Sequence, residues 1–347
     1  MMKKLILVLA IVLAILSGCG QKTQQTLKVF NWGVYIDETV IKDFETLNNV
    51  NVIYDNYDSN ESMYTKLQSG EKYDILVPTD WMVERLIAEN KLQKIDLTKI
   101  TNLKNIDTGL LDRTFDPANQ YSVPYFWGNI GIIYNKNNVS QEDLKAGWRL
   151  LNNPKYKNQI FIYDSERDVF MIAEKALGFS VNTTDDAEIN SAFELLKEIN
   201  ATTKPVYAVE DLIDAMVNEQ KDIAVSFSGD AAYILSQNEN MQFFVPEEGT
   251  NIWMDSMVIP SNAQNVAMAH KWINYMLDNE VALKNTEFVG YTSPVVSAYQ
   301  AVVAPGGMYE GIDAYVPRLD NPKDESYTYN AALKAKLSDL WIRVKAQ

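Results

Sequence analysis

The 347-residue sequence contains one cysteine and one histidine, and these two counts exclude several classes of site. A single cysteine cannot form a disulfide within the chain. A zinc site built from cysteine and histidine needs three or four such ligands, so we expect no metal site of that class. A serine–histidine–aspartate hydrolase would have to use His270, which lies inside a helical pattern, and we expect a packing or surface role for it.

The sequence also lacks the cluster of lysine and arginine that nucleic-acid-binding proteins carry, so we expect no nucleic-acid partner. It has 31 Lys+Arg against 46 Asp+Glu, a net charge of −15, with 47% hydrophobic and 22% charged residues. This composition is that of a globular protein, and the length fits two domains of ordinary size. The acidic balance suits cationic ligands, although many soluble proteins are acidic without binding any.

No apolar run reaches the roughly 20 residues that cross a bilayer. The twelve apolar residues Leu5–Leu16 follow Lys3 and Lys4, which is the pattern of a secretory signal. The segment Leu16-Ser17-Gly18-Cys19 resembles the lipobox of bacterial lipoproteins, in which the cysteine is lipidated after cleavage. We predict a signal peptide at 1–18, lipidation of Cys19 and a polar tether over 19–26, which places the protein outside the cytoplasm on a membrane. The alternative is a plain signal peptide with a chance cysteine.

Short apolar runs alternate with helical patterns after the tether. Val40, Ile41, Phe44 and Leu47 recur at intervals of three and four, which predicts a helix over 37–47. Strands are predicted at 27–31, 51–54, 73–78, 159–163, 222–227, 241–245 and 256–260. Further helices are predicted at 60–69, 80–90, 165–177, 185–200, 209–219, 262–277 and 331–344, with another beginning at 229. The alternation indicates an α/β fold with a largely parallel sheet.

Aromatic residues make up 11% of the sequence, and several follow predicted strands or stand beside carboxylates. Trp32 and Tyr35 follow the first strand, Trp81 follows the third, and Trp253 and Tyr291 lie in loops. In open α/β sheets, ligands bind beyond the carboxyl ends of the strands, so these rings are placed to line a cleft. The alternative is that each ring fills a gap in the core.

Three acidic residues stand out for the same reason. Ser165 and Asp168 have the spacing of a capping box, which would by itself explain Asp168. Asp230 begins a predicted helix, where a negative charge is favourable. Asp255 interrupts an apolar run, so its carboxylate is expected to meet a specific partner.

Rings and carboxylates together describe a slot for an aliphatic amine. Aromatic faces attract ammonium groups and cover methylene chains, and carboxylates pair with the ammonium ends. No bond is made or broken in such binding, so we predict no catalytic residue, no cofactor and no metal.

Six stretches of the sequence resemble the periplasmic spermidine/putrescine-binding proteins of ABC importers. They are FNWGVY (30–35), SNESMYTKLQSG (59–70), YDILVP (73–78), SVPYFWGNIGIIYN (122–135), WMDSMVIP (253–260) and VGYTSP (289–294). The resemblance implies a two-lobed α/β fold of the type II periplasmic-binding-protein class, each lobe a mixed sheet flanked by helices, with ligand in the cleft between the lobes. It implies lobe one at 26–129 plus 254–299 and lobe two at 130–253 plus 300–347.

The same resemblance implies capture of a polyamine by a monomer that delivers it to an ABC permease in the membrane. It also implies a set of ligand-binding residues. They are Trp32, Tyr35, Thr79, Trp81, Asp168, Phe227, Asp230, Trp253, Asp255 and Tyr291.

The sequence departs from the family pattern at several of these positions. Phe227 stands where the family usually has tryptophan, and Val34 replaces an acid. Ser165 stands where the spermidine type has an acid, and the neighbouring Asp164 is a possible substitute. Asp230 matches an acid of the putrescine type. The three retained acids therefore favour putrescine slightly, with spermidine close behind.

Two other readings remain. The first is a binding protein of the same fold for a sugar, an amino acid or an iron complex, since aromatic stacking also suits sugars. The second is a secreted glycosidase with two carboxylates, but no motif in the sequence fixes such a pair.

Overall fold

The computed structural model describes residues 24–209 and 211–346. The predicted signal peptide at 1–18, Cys19 and the tether up to residue 23 lie outside the described residues. Within the described part, no helix is both long and apolar enough to cross a membrane.

The strands form one mixed sheet in the described part of the chain. They are β1 (Gln25–Trp32), β2 (Val50–Tyr57), β3 (Ile75–Leu76), β4 (Ser122–Asn135), β5 (Ile160–Tyr163), β6 (Val206–Ala208), β7 (Ile223–Phe227), β8 (Met241–Phe244) and β9 (Ile252–Val258). The order is β2-β1-β3-β9-β4-β7-β5-β6, with β8 also beside β4. The pairs β1–β2, β1–β3, β5–β6 and β5–β7 are parallel, and β3–β9, β4–β7, β4–β8 and β4–β9 are antiparallel. The mixed sheet implied by the resemblance is confirmed, and the largely parallel sheet expected from the alternation is wrong.

Helices flank this sheet. They are α1 (Glu38–Asn48), α2 (Asn60–Gln68), α3 (Asp80–Ala88), α4 (Gln141–Leu144), α5 (Glu166–Leu177), α6 (Asp186–Thr203), α7 (Asp211–Val217), α8 (Ser228–Gln237), α9 (Val266–Met276), α10 (Asn279–Val289), α11 (Val296–Val303) and α12 (Ala331–Lys345). Short 3-10 helices lie at 97–99, 101–105, 108–110, 117–119, 147–152, 154–156 and 313–315. Local chemistry sets several ends: the Asp37 carboxylate accepts from the Thr39 amide before α1, and Gly178 closes α5 with φ 80°.

The 14-residue strand β4 joins the two halves of the sheet. Its residues 122–129 pair with β9, and residues 130–135 pair with β7 and β8. All of its residues are buried, so the strand has no solvent face and no alternation of apolar and polar residues.

Buried apolar side chains form three clusters. The first draws on 27–127 and 252–298, the second on 130–253 and 327–344, and the third on 133–315. The lobe bounds of 26–129 plus 254–299 and 130–253 plus 300–347 stay a prediction.

A buried carboxylate fixes the start of β4. Asp116 is 2% exposed. One of its oxygens accepts from the amides of Tyr121 (2.9 Å) and Ser122 (2.7 Å) and from the Ser122 hydroxyl (2.7 Å), and the other accepts from the Gln120 amide (3.1 Å). These bonds satisfy the backbone at the point where the loop enters the central strand.

Replacing this carboxylate should weaken the fold. Asp116→Ala leaves buried backbone donors without an acceptor, so we expect it to lower the free energy of unfolding by about 2–4 kcal/mol in urea denaturation. Asp339→Ala is the control, since Asp339 is exposed and its oxygen lies 3.7 Å from Arg343; we expect a change below about 0.5 kcal/mol. Equal stability of the two variants would contradict the role given to Asp116.

Candidate ligand-binding site

Five aromatic rings form a chain of contacts from one half of the sheet to the other. Ring centroids are 4.9 Å apart for Tyr163 and Phe227, 5.9 Å for Phe227 and Trp253, 5.2 Å for Trp253 and Tyr291, and 5.9 Å for Tyr291 and Tyr35. All four contacts are edge-on, with interplanar angles between 65° and 90°, which is a favourable geometry for aromatic pairs. Four of these rings were predicted from the sequence, and Tyr163 was not.

Two of the three predicted acids lie against this chain of rings. The Tyr35 hydroxyl donates to Asp255 at 2.7 Å, and the Tyr291 hydroxyl donates to Asp230 at 2.9 Å. Asp230 also accepts from the Ser226 hydroxyl at 2.6 Å. The structure brings these rings and two of the predicted acids together through tyrosine hydroxyls, and their part in ligand binding stays a prediction.

The third acid, Asp168, accepts from a tyrosine as well. The Tyr327 hydroxyl donates to it at 2.7 Å, and Arg167 lies 4.0 Å from the centroid of the same ring. Burial raises the pKa of Asp168, and the bond from Tyr327 opposes that rise. The capping-box interpretation is wrong, because the Ser165 side chain makes no cap bond at the start of α5.

Asp164 binds side chains of the C-terminal helix. It accepts from the Trp341 indole at 3.0 Å and from the Lys345 ammonium at 3.0 Å, both on α12. It therefore anchors the C-terminal helix and does not replace the acid that is absent at Ser165.

Asp255 is the most unusual acid of the site. It is 5% exposed, and its Oδ1 has no hydrogen-bond partner in the described residues. Burial raises its pKa to about 8, and the nearby Asp80 carboxyl adds to the rise. The indole nitrogen of Trp253 is also buried without a partner there. Buried polar atoms left unpaired are expensive, so these atoms are candidates for contact with a bound molecule.

Asp80 is a second buried acid that the sequence analysis missed. It is 1% exposed, its Oδ2 has no partner in the described part of the chain, and burial raises its pKa to about 7. It begins α3, where an acid is expected for the helix dipole alone, so its position carried no separate signal.

The remaining predicted residues lie on the β1 and β3 side. The Trp32 indole donates to the Val77 carbonyl at 2.9 Å, and its ring packs 4.7 Å from that of Tyr57. The Thr79 hydroxyl accepts from Asn60 at 2.8 Å, and its backbone pairs with that of Asp255. Trp81 is partly buried and packs against both the first and the second apolar cluster.

His270 has a structural role. It is 3% exposed, one ring nitrogen accepts from the Asp96 amide at 2.9 Å and the other lies 2.8 Å from the Val266 carbonyl. Across residues 24–209 and 211–346, no group of three or more histidine, cysteine or acidic side chains is placed to hold a metal ion.

Residues 39–307 match the family described as bacterial extracellular solute-binding protein. The chain belongs to this family. Membership in this family confirms the prediction that the protein binds a solute and is not an enzyme. The α/β fold class is confirmed as well.

The matches to three relatives span most of both chains. The spermidine/putrescine-binding periplasmic protein of Salmonella typhimurium is 34% identical over 285 residues, 82% of this chain and 81% of that one. The spermidine/putrescine ABC transporter substrate-binding protein PotD of Streptococcus pneumoniae has a TM-score of 0.82 and 35% identity, covering 93% of this chain and 99% of that one. The TpPotD lipoprotein of Treponema pallidum has a TM-score of 0.79 and 26% identity, covering 93% and 100%.

The contact between Gly229 and Tyr291 leaves no space for a side chain. A Cβ added at Gly229 would lie 2.0 Å from the Tyr291 ring. We expect Gly229→Ala to displace this ring, break its bond to Asp230 and lower the free energy of unfolding by about 1–3 kcal/mol. Gly33→Ala is the control, because a Cβ there meets nothing within 4 Å. Chemical denaturation compares the two; equally small changes would contradict the tight contact.

The raised pKa of Asp255 makes stability depend on pH. The unfolded chain loses this proton near the ordinary value of 3.8, and the folded protein keeps it up to about pH 8. The folded state therefore loses stability through this group as pH rises from about 4 to 8. Asp255→Asn has no proton to lose, so we expect its thermal midpoint to rise relative to wild type across that range. A constant difference would contradict the prediction.

Asp143→Asn is a control, because the pKa of Asp143 is shifted in the opposite direction to that of Asp255. Hydrogen bonds from Lys155 and other groups hold the pKa of Asp143 below its ordinary value of 3.8. Its carboxylate therefore stabilises the fold above that value and loses the effect as pH falls through the lower pKa of the folded state. We expect the wild type to exceed this variant in stability at neutral pH, with the difference shrinking in acid.

Proposed function

We propose that this protein captures polyamines outside the cytoplasm and delivers them to an ABC permease. The observation that carries the proposal is the buried Asp255 carboxyl, one oxygen of which has no partner among the residues that the structure describes, beside a chain of edge-on aromatic rings. A carboxylate in such a place is stabilised by a cation, and aromatic rings accept both ammonium groups and methylene chains.

Each residue type has a defined part in this binding. Asp255 pairs with one ammonium group, and Asp230 or Asp168 pairs with another. Trp253, Tyr291 and the remaining rings cover the carbon chain between them. Since Asp255 holds a proton up to about pH 8, an arriving cation displaces that proton and turns an unfavourable buried acid into an ion pair.

The names of the relatives support this ligand class. The Salmonella typhimurium protein is described as spermidine/putrescine-binding, and the Streptococcus pneumoniae protein as the substrate-binding protein of a spermidine/putrescine ABC transporter. The set of Asp168, Asp230 and Asp255 slightly favours putrescine, the shorter of the two amines. We also propose that the two lobes close on the ligand, with the bounds given by the sequence analysis.

Lipidation of Cys19 belongs to the same proposal. Its support is the lipobox-like segment before that cysteine and the description of the Treponema pallidum relative as a lipoprotein. An anchor at Cys19 would keep a monomeric binding protein next to a permease in the same membrane.

Calorimetric titration tests the ligand class directly. The purified protein is titrated with putrescine, spermidine and spermine, and with 1,4-butanediol as a neutral compound of similar length. We expect an amine to bind with about micromolar or tighter affinity and the diol not to bind. Binding of a sugar or amino acid in place of every amine would favour the alternative ligand classes.

Asp255→Asn tests the assigned site. It removes the charge and keeps the shape, so we expect binding of the preferred amine to weaken by about 2–5 kcal/mol. Asp164→Asn is the matched control, because that acid pairs with α12, and its affinity should stay within twofold of wild type. Unchanged affinity in Asp255→Asn would remove Asp255 from the site.

A further inference from the structure

One cation of the chain itself lies on a ring of the candidate site. The Lys334 ammonium, on α12, is 5.3 Å from the centroid of the Trp81 ring and forms an ion pair with Glu61 on α2. Its side chain is 33% exposed, and burial lowers its pKa. This is the same interaction that the site is proposed to offer an amine.

Neighbouring contacts attach the segment before Lys334 to the helix that carries Trp81. The Tyr329 amide donates to Glu84 at 2.5 Å, and Arg85 lies 5.3 Å from the centroid of the Tyr329 ring. Glu84 and Arg85 are on α3, the helix that carries Trp81. The chain segment leading into α12 is therefore attached to α3. The ion pair with Glu61 joins the Lys334 ammonium to α2, beside the Trp81 ring.

A positive charge beside Trp81 has a direct consequence for the ligand. A ligand ammonium that reached Trp81 would be repelled by the Lys334 charge, because partial burial screens this charge less than bulk water does. Glu61 reduces this repulsion by neutralising part of the charge. A ligand whose ammonium groups end at the carboxylates does not meet it.

We propose that Lys334 is a specificity-determining residue that keeps a further ammonium group away from Trp81 and so favours diamines over triamines. The inference rests on the proposed function, because it assigns a charge limit to the same slot. The alternative is that the Glu61–Lys334 ion pair only holds α2 and α12 together. In that case its loss would change the affinities for all ligands equally.

Two substitutions separate charge from mechanics. Lys334→Gln removes the ammonium, so we expect the ratio of spermidine affinity to putrescine affinity to rise by about tenfold. Glu61→Gln removes the neutralising partner and leaves the ammonium, so the same ratio should fall below that of wild type. Both variants lose the ion pair, and only the charge model moves the ratio in opposite directions.

Lys336→Gln is the matched control. Lys336 is on the same helix and forms an ion pair with Asp186, so this variant also loses a surface pair and a charge. We expect it to keep the wild-type ratio. Each variant is titrated calorimetrically with both amines after its thermal unfolding has shown a folded protein.

The outcomes distinguish this inference from the function on which it rests. Parallel changes in both affinities, with the ratio constant in Lys334→Gln and Glu61→Gln, would overturn the role of Lys334 and leave polyamine capture standing. An equal rise in the ratio in Lys336→Gln would also overturn it, because the effect would then be one of net charge. Failure of the wild type to bind any amine would overturn both.

Discussion

The carboxyl group of Asp255, buried in an aromatic environment, is the constraint on which the proposed site depends. In the described residues, the Tyr35 hydroxyl favours the charged form, while burial and Asp80 oppose it. An isolated carboxylate in such a place is costly, and burial therefore raises the pKa of Asp255 to about 8. In the proposed function, a cation bound beside Asp255 stabilises the charged form of this carboxyl.

Tyrosine hydroxyls hold each acid in place before any ligand arrives. The bonded pairs Tyr35–Asp255, Tyr291–Asp230 and Tyr327–Asp168 are 220, 61 and 159 residues apart in sequence. Each bond therefore joins distant segments and orients a carboxylate through a rigid ring with few rotatable bonds. Such preorganisation reduces the entropy that binding would otherwise cost.

Most helices and most short strands could be predicted from periodicity and capping, whereas β6 was missed. The long strand β4 could not be predicted, because a fully buried strand has no alternation. The strand predicted at 256–260 begins instead at Ile252, for the same reason. The resemblance could suggest that Asp255 and Tyr291 lie near other rings, and Asp255 also stood out because it interrupts an apolar run. The burial of Asp80 and the partners of Lys334 could not be predicted. An acid at a helix start and a lysine on a helix have ordinary local explanations, and the partners of Lys334 are remote in sequence.

The position of α12 bears on how the chain folds as it is made. Leu337, Trp341 and Val344 belong to the second apolar cluster, whose other members begin at Ile130. Since the chain is made from its N-terminus, more than 200 residues after Ile130 must be synthesised before the last side chains of the cluster are present. Until α12 has emerged, part of the apolar surface of the second cluster stays exposed. Exposed apolar surface favours aggregation, so we expect chaperones to bind the nascent or translocating chain up to that point.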